Sequence, residues 1–407
     1  MTTVAAVDLG ASSGRVLVGR FAKGATGGSI DLCEVLRFPN VPVRAGAALR
    51  WDVLALFRGL VEGLRLASQH FGELDAVGVD GWAVDYGLLD ADGELLGNPI
   101  CYRDAGTDAT VMRVLGTLDG ADLYEATGTQ LQPFNTLFQL LSRRDTAQAR
   151  AAQHALLIPD LVSYWLSGVM GTEITNASTT QLLDPRTQEW AFTLAQRLNV
   201  PLELFAPLRN SGLPLGTLRP ELGLGERTQV ITVPSHDTAA AVAGIPALIE
   251  DFAFVCTGTW ALVGVELAEP VITEASRQAN FTNEVGVGGS IRFLRNVTGF
   301  WLMQECVRHW QAEGTDVDVA TLTEAAADVP GLRAIIDVQD PAFAQPGDMP
   351  RRIRDAAHSM SGANLTTRVE IARCILDSVA LAIRSSVRDA VALSGKSVQV
   401  ASLAAGR

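Results

Sequence analysis

Two polar clusters, far apart in the chain, carry the residue types best suited to chemistry. Asp8-Leu9-Gly10-Ala11-Ser12-Ser13-Gly14-Arg15 follows the apolar run Val4–Val7. Glycine lets a backbone approach an anion closely, and the amides of Ser12, Ser13 and Gly14 can converge on a phosphate. Arg15 adds positive charge. Asp8, at the strand end, is placed to hold a magnesium ion through water, because magnesium sheds its hydration shell reluctantly. The same residues equally describe a tight hairpin with a capping aspartate. Downstream, Ser235-His236-Asp237-Thr238 leads into an alanine-rich stretch. Asp237 is either the N-cap of a helix or a general base that takes the proton of an acceptor hydroxyl. His236 is either a loop residue or a ligand of a substrate oxygen. Thr257-Gly258-Thr259-Trp260 repeats the style of the first turn, with Thr259 as a phosphate donor or a plain β-turn residue. A triphosphate needs donors from two sides, so two such turns point to phosphoryl transfer.

The elements that must position these groups follow from periodicity. Val4–Val7, Val16–Phe21 and Ile30–Phe38 are predicted strands joined by glycine-rich turns. Val53–Phe71 is a predicted helix, with apolar residues at helical spacing and Asp52 as N-cap. Ala76–Val79 and Tyr86–Leu89 are predicted strands, with a turn at Asp90-Ala91-Asp92-Gly93. Asn135–Arg143 and Pro159–Leu166 are predicted helices. A Pro- and Gly-rich stretch over Pro214–Gly225 precedes a buried strand at Gln229–Val233. Phe252–Thr257 and Ala261–Leu267 form a second hairpin. Gly299–Ala312 and Arg368–Leu393 are long helices, and a last strand begins at Ser397–Val400. Three strands, a helix and another strand open an RNase H-like fold. The expected architecture is α/β, with two such domains flanking a cleft.

Several clusters remain without a diagnostic spacing. Asp80-Gly81-Trp82-Ala83-Val84-Asp85 offers two carboxylates and an indole, which is either a sugar platform or core. Tyr102-Arg103-Asp104, Gln132–Thr136, Phe281–Glu284 and Arg295-Asn296 are expected to be mostly solvated loop positions. Cys306 and His309 are one helical turn apart, and helix packing is the preferred reading over metal ligation.

Composition sets the outer limits. A chain of 407 residues calls for two or three domains. A net charge of −13 argues against nucleic acid or an anionic membrane as partner. The five scattered cysteines make no disulfide framework and fit a reducing cytoplasm. The N-terminus has no secretory pattern, and no apolar run approaches the roughly 20 residues that span a bilayer.

Taken in order, Asp8–Arg15, Asp80–Leu89, Tyr102-Arg103-Asp104, Pro133–Leu137, Pro159-Asp160, Thr175–Leu182, Ser235–Thr238, Gly258-Thr259-Trp260, Asn280–Glu284 and Pro346–Met349 resemble the FGGY carbohydrate kinases, in the branch acting on L-rhamnulose. The resemblance implies transfer of a phosphoryl group from ATP to the 1-hydroxyl of L-rhamnulose, with Mg2+ bridging the phosphates. It implies Asp237 as base, and Ala83, His236, Asp237, Thr238 and Asn296 as sugar contacts. Ala11, Ser12, Ser13, Gly14, Arg15, Thr259 and Gln304 would lie near ATP, and Asp8 near the metal. The resemblance implies two domains, residues 1–245 for sugar and phosphate and residues 246–407 for nucleotide, the second incomplete. Two positions depart from the family pattern: Ala83 and Val285 stand where glycine is usual. They keep another ketose, such as L-fuculose or a xylulose, open as substrate. The family also continues past the last strand into a glycine-rich adenosine loop, whereas only Ser402–Arg407 follows here. A truncated, catalytically impaired sugar-binding remnant is therefore the alternative expectation.

Overall fold

The computed structural model describes residues 2–24, 27–225 and 227–405. The chain divides into two compact units. The first comprises Met1–Gly244, Leu267–Arg277 and Thr282–Arg292, and the second Ile245–Glu266, Gln278–Phe281 and Phe293–Arg407.

The first unit is built on a twisted sheet. Strands β1 (Thr2–Leu9), β2 (Ser13–Gly24) and β3 (Gly27–Pro39) form an antiparallel meander. Helix α1 (Val53–Phe71) follows, and Asp52 caps it by accepting the Ala55 amide at 3.2 Å. Its apolar stripe of Leu56, Leu60, Leu64 and Ala67 is buried. Each of these leucines contributes about 1.5–3 kcal/mol on burial. The helix lies close to the sheet because Gly63 has no side chain: a Cβ there would sit 2.5 Å from Val16.

The chain then returns as β4 (Ala76–Gly81), parallel to β1. Later come helices α2 (Thr136–Arg143) and α3 (Ile158–Ser167), strand β5 (Pro214–Thr217), strand β6 (Gln229–Ile231) and helix α4 (Asp237–Ala243). The sheet order is β5-β6-β4-β1-β2-β3, with β6, β4 and β1 mutually parallel. This is the RNase H-like arrangement, with β5 added antiparallel at one edge. Ligand sites in such sheets form at the carboxyl ends of the parallel strands.

Within the Pro- and Gly-rich Pro214–Gly225 stretch, β5 occupies the first part; an edge strand tolerates proline, which has no N–H to donate. One expectation changes here. Of β6 only Val230 is fully buried, not the whole strand. The Tyr86–Leu89 strand forms as expected and pairs with His154–Leu157 in a ribbon apart from the main sheet.

The second unit holds β7 (Phe252–Thr257), β8 (Trp260–Leu267), β9 (Ile291–Thr298), α5 (Trp301–Ala312), α6 (Met349–Ser361), α7 (Arg368–Ser394) and β10 (Val400–Ala405). The strand order is β9-β8-β7-β10, with β7 and β8 antiparallel and β7 and β10 parallel. Val255, Val263, Val297, Trp301, Leu302, Cys306, Ile353, Ile371 and Ile375 form one apolar core. Helix α7 starts at a capping box, Thr367 with Glu370. Backbone N–H donation from Thr367 and Thr366 lowers the Glu370 carboxyl to about 2. The last strand begins at Val400, not at Ser397, and takes in Ser402–Ala405; Gly406 and Arg407 lie outside the described residues.

Candidate active site

The parallel strands deliver three carboxylates to one end of the first sheet. Asp8 and Asp80 are direct register partners near the carboxyl ends of β1 and β4. Beyond β6 the chain still tracks β4: the Gly81 amide donates to the Ser235 carbonyl at 2.9 Å, and His236 bridges to Gly81. Asp237 follows at once as the first residue of α4. It is therefore not the N-cap; that position is His236, whose side chain makes no capping bond. The middle carboxylate, Asp80, is the least compensated. Burial, and then the charges of Asp8 and Asp237, push it well above the ordinary aspartate value, while Arg15 acts in the opposite sense. Its Oδ1 is buried without a hydrogen bond.

The Asp8–Arg15 hairpin lies beside these groups. Asp8 Oδ2 accepts from Arg15 Nε at 2.7 Å, so Asp8 already carries a counter-charge. The turn is closed by Gly10 N to Ser13 O at 2.9 Å. Asn40 braces it from outside, donating to the Gly10 carbonyl at 2.8 Å. Ser12 is exposed, Ala11 and Ser13 are half-buried, and Gly14 is buried. Gly14 is small for a packing reason: a Cβ there would lie 2.2 Å from the Phe38 ring.

Asp237 keeps 40% of its side-chain surface open. Burial raises its carboxyl above the ordinary value. His236 and Thr238 pull it down, and the charge of Asp8 adds to the rise. Two side chains face one oxygen: Thr238 Oγ1 donates to Oδ1 at 3.1 Å, and His236 Nε2 lies 3.4 Å from it; the Thr238 backbone also donates to the carboxylate. On its other side, His236 faces a buried ion pair, Arg292 with Glu284 at 3.0 Å. Burial alone would raise the Glu284 carboxyl, but Arg292 and His236 outweigh it and hold it below its ordinary value.

The Ser235–Asp237 loop is fixed from below by Glu173. Its Oε2 accepts the Thr175 and Ser235 amides, each at 3.0 Å, and their hydroxyls at 2.6 and 3.1 Å. The Asn176 amide also reaches it at 3.2 Å, and Oε1 takes the Ser211 hydroxyl at 2.6 Å. Beside it, burial and the Glu173 charge push the Asp160 carboxyl well above its ordinary value.

Other expectations resolve differently. Trp82 is 5% exposed and packs on Trp51 with ring centroids 4.5 Å apart, so it is core. Thr282, Asn283 and Glu284 are buried, as are Asn135 and Thr136, so these clusters are not solvated loops. The two asparagines are held by hydrogen bonds, as burial favours: Asn283 Oδ1 accepts the Val271 amide at 2.7 Å and Asn135 donates to the Gln130 carbonyl at 2.9 Å, whereas the Thr282 hydroxyl is buried without a bond. Cys306 is buried while His309 faces Glu313 and Asp348, and among the described residues no group of three acids, histidines or cysteines is arranged to hold a metal.

Within the first unit, then, Asp8, Arg15, Ala83, His236, Asp237 and Thr238 lie at or beside the strand ends. In the second unit, Thr259 follows β7 and its hydroxyl reaches Gln304 Oε1 at 3.5 Å, so these two residues meet. The turn is held by Gly258 N to Trp260 O at 2.8 Å, and the Phe300 and Trp301 amides donate to the Gly258 and Thr259 carbonyls. Asn296 is half-buried on β9, its carbonyl accepting from Gln339 at 3.0 Å.

Sequence reasoning missed Glu173 and Arg292. A signal for Arg292 exists: it is a lone charge in the apolar strand Ile291-Arg292-Phe293-Leu294, and a charge there must find a buried partner.

Both units match one family. The FGGY family of carbohydrate kinases, N-terminal domain, matches residues 4–244, and its C-terminal domain matches residues 253–405. The chain belongs to the FGGY family of carbohydrate kinases, with its actin- and Hsp70-like fold. It is 39% identical over 400 residues to the rhamnulokinase of Bacteroides thetaiotaomicron, covering 97% of this chain and 81% of that protein. It is 38% identical over 397 residues to the rhamnulokinase of Enterococcus faecalis, covering 97% and 79%. Among solved structures it is similar in fold to ligand-bound xylulose kinase from Lactobacillus acidophilus (TM-score 0.75, 16% identity, 100% of this chain and 81% of that one). Plasmodium falciparum glycerol kinase with ADP is also similar (TM-score 0.72, 14% identity, 100% and 82%). At such identities the likeness speaks for the fold alone.

Proposed function

We propose that this carbohydrate kinase transfers the γ-phosphoryl group of ATP to the 1-hydroxyl of L-rhamnulose, giving L-rhamnulose 1-phosphate and ADP. The similarity to rhamnulokinases over nearly the whole chain supports the substrate. The observation that carries the chemistry is Asp237: a carboxylate at the convergent strand ends, lifted above its ordinary value yet open on one side. Such a group is suited to take a hydroxyl proton as the bond to phosphorus forms. His236, Thr238, Ala83 and Asn296 contact the sugar. Ala11–Arg15, Thr259 and Gln304 hold the nucleotide, residues 1–245 serving the sugar and phosphates and residues 246–407 the nucleotide.

The donor set fits magnesium. Asp80 Oδ1 is a buried carboxylate oxygen without a hydrogen bond, next to Asp8. With no three-ligand cluster among the described residues, Asp8 and Asp80 would hold the ion through water. When bound, the ion neutralises phosphate charge. A cytoplasmic place belongs to the same reading, since a reducing compartment keeps the buried thiols of Cys101, Cys306 and Cys374 free of disulfides; none of the described helices is long and apolar enough to cross a membrane.

The test is sugar-dependent ADP release with L-rhamnulose, L-fuculose and xylulose. L-Rhamnulose should give the highest kcat/KM; a higher value for another ketose would reassign the substrate. Asp237→Asn should lower kcat by about 10²–10⁴ with sugar binding largely kept, as expected for loss of a general base. Near-normal turnover would remove Asp237 from that role. In the wild type, kcat/KM should fall as pH drops through the raised Asp237 value, because the protonated carboxyl cannot act as base.

A further inference from the structure

The base is held by a donor chain that begins two residues behind it. We infer that Arg292 and Glu284 are positioning residues that fix the tautomer of His236 and so select which oxygen of Asp237 meets the sugar hydroxyl. This deepens the kinase reading above and rests on it.

Both Nη1 and Nη2 of Arg292 lie 3.3 Å from His236 Nδ1. A guanidinium can only donate, so Nδ1 must be the lone-pair nitrogen of the ring. The hydrogen of a neutral imidazole is then on Nε2, which faces Asp237 Oδ1 at 3.4 Å. A carboxylate can only accept, so donors and acceptors agree along the whole path from Arg292 through His236 to Asp237. The competing partner is Glu284 Oε2, also 3.3 Å from Nδ1, which would call for a hydrogen there. That oxygen makes no aligned hydrogen bond, and its charge is spent on Arg292 at 3.0 Å. Arg292 is itself anchored: it is 1% exposed at the side chain and donates to the Val285 carbonyl from Nε and Nη2 at 3.3 and 3.2 Å. Glu284 therefore balances a buried cation, and the cation orients the ring.

The consequence lies at Asp237. The Thr238 hydroxyl donates to Oδ1, and the Nε2–H of His236 faces the same oxygen. Oδ2 is the oxygen that these two side chains leave to the substrate, and it accepts the sugar proton. The proton moves from the hydroxyl to Oδ2, and His236 keeps its own.

The test uses the full chain labelled with ¹⁵N-histidine, without sugar or nucleotide. The His236 signals, assigned by their loss in His236→Gln, should show a neutral ring with hydrogen on Nε2 and a hydrogen-bonded, unprotonated Nδ1. The paired variant Arg292→Met with Glu284→Gln leaves no lone buried charge. It should populate the other tautomer and lose about tenfold or more in kcat, with the KM for L-rhamnulose changing far less. Hydrogen on Nδ1, an imidazolium at neutral pH, or unchanged kcat in the folded pair would overturn the inference. Retained turnover in Asp237→Asn would break the base assignment instead, and the tautomer measurement does not depend on it.

Discussion

Asp80 and Asp85 stand five residues apart in the first unit, Asp80 half-buried and Asp85 fully buried, and they are opposites. Asp85 is surrounded by donors. Its Oδ2 accepts the Trp51 indole at 2.5 Å, the Trp82 indole at 3.0 Å and the Tyr102 amide at 3.1 Å, and its Oδ1 accepts Gln139 Nε2 at 2.8 Å. Burial lifts it, and these four donors hold the rise to about 6. Asp80 has no such donors, one bare oxygen, and two acidic neighbours that add to the effect of burial. Loss of solvent raises both carboxyls, so the donor complement separates the carboxylate that builds the fold from the one left uncompensated. The first organises Trp51, Trp82, Tyr102 and Gln139 into one node. The second is an electrostatic liability that a bound cation relieves.

The comparison breaks most directly at Asp85. Asp85→Asn places an NH2 group against Gln139 Nε2. Gln139 cannot simply turn over, because the same nitrogen also donates to the Phe134 carbonyl at 2.8 Å. A loss of about 2–3 kcal/mol is expected, read as a lower denaturant midpoint at unchanged slope. A change within experimental error would show that the four donors do not stabilise the charge, and the contrast with Asp80 would collapse.

At Asp80 the expected effect is smaller and opposite in sign. The folded-state value lies well above that of an ordinary aspartate, so the fold binds more protons than the unfolded chain across that window. Stability contributed by this site therefore falls as pH rises through it. Asp80→Asn lacks the penalty. It should be at least as stable as wild type at neutral pH, with an advantage that shrinks toward acid, while its requirement for magnesium in turnover rises. A destabilised variant with no pH trend would mean that Asp80 finds partners like those of Asp85.

The same contrast explains what the residue string revealed. The strands of the first sheet, α1 with its Asp52 cap, α5, α7 and the hairpin at Thr257–Trp260 were legible because local periodicity and turn chemistry dictate them. Asp8 and Asp237 were legible as chemistry-bearing because each follows an apolar strand. The buried polar network was not. Glu173, Glu284 and Arg292 are far apart in the chain, and only the parallel crossovers bring Glu173 under Ser235 or Arg292 behind His236. Burial of Asn283 and Thr136 was misjudged for the same reason: a polar residue is counted as solvated until its distant partner is known. Strand β5 was hidden by its proline and glycine, which an edge strand tolerates and an interior strand does not.

The segment joining the two carboxylates offers the smallest effect and a sharp sign. Val84 has φ +66°, which a β-branched residue rarely adopts, and the Asp85 amide donates back to the Ala83 carbonyl at 2.9 Å. The turn is held from outside: the Val84 carbonyl accepts the Thr136 hydroxyl at 2.7 Å. Such a backbone stores on the order of 1–3 kcal/mol and persists only where its surroundings over-determine it. Val84 is also 8% exposed, so Val84→Gly removes buried apolar surface while relieving the strain. The two nearly cancel, and the net change should stay within about 1 kcal/mol, where a buried valine at ordinary φ would lose more. A loss well beyond that in equilibrium unfolding would mean that the strain is small and that packing of the valine, rather than the Asp85 node and Thr136, fixes the turn between the structural carboxylate and the site.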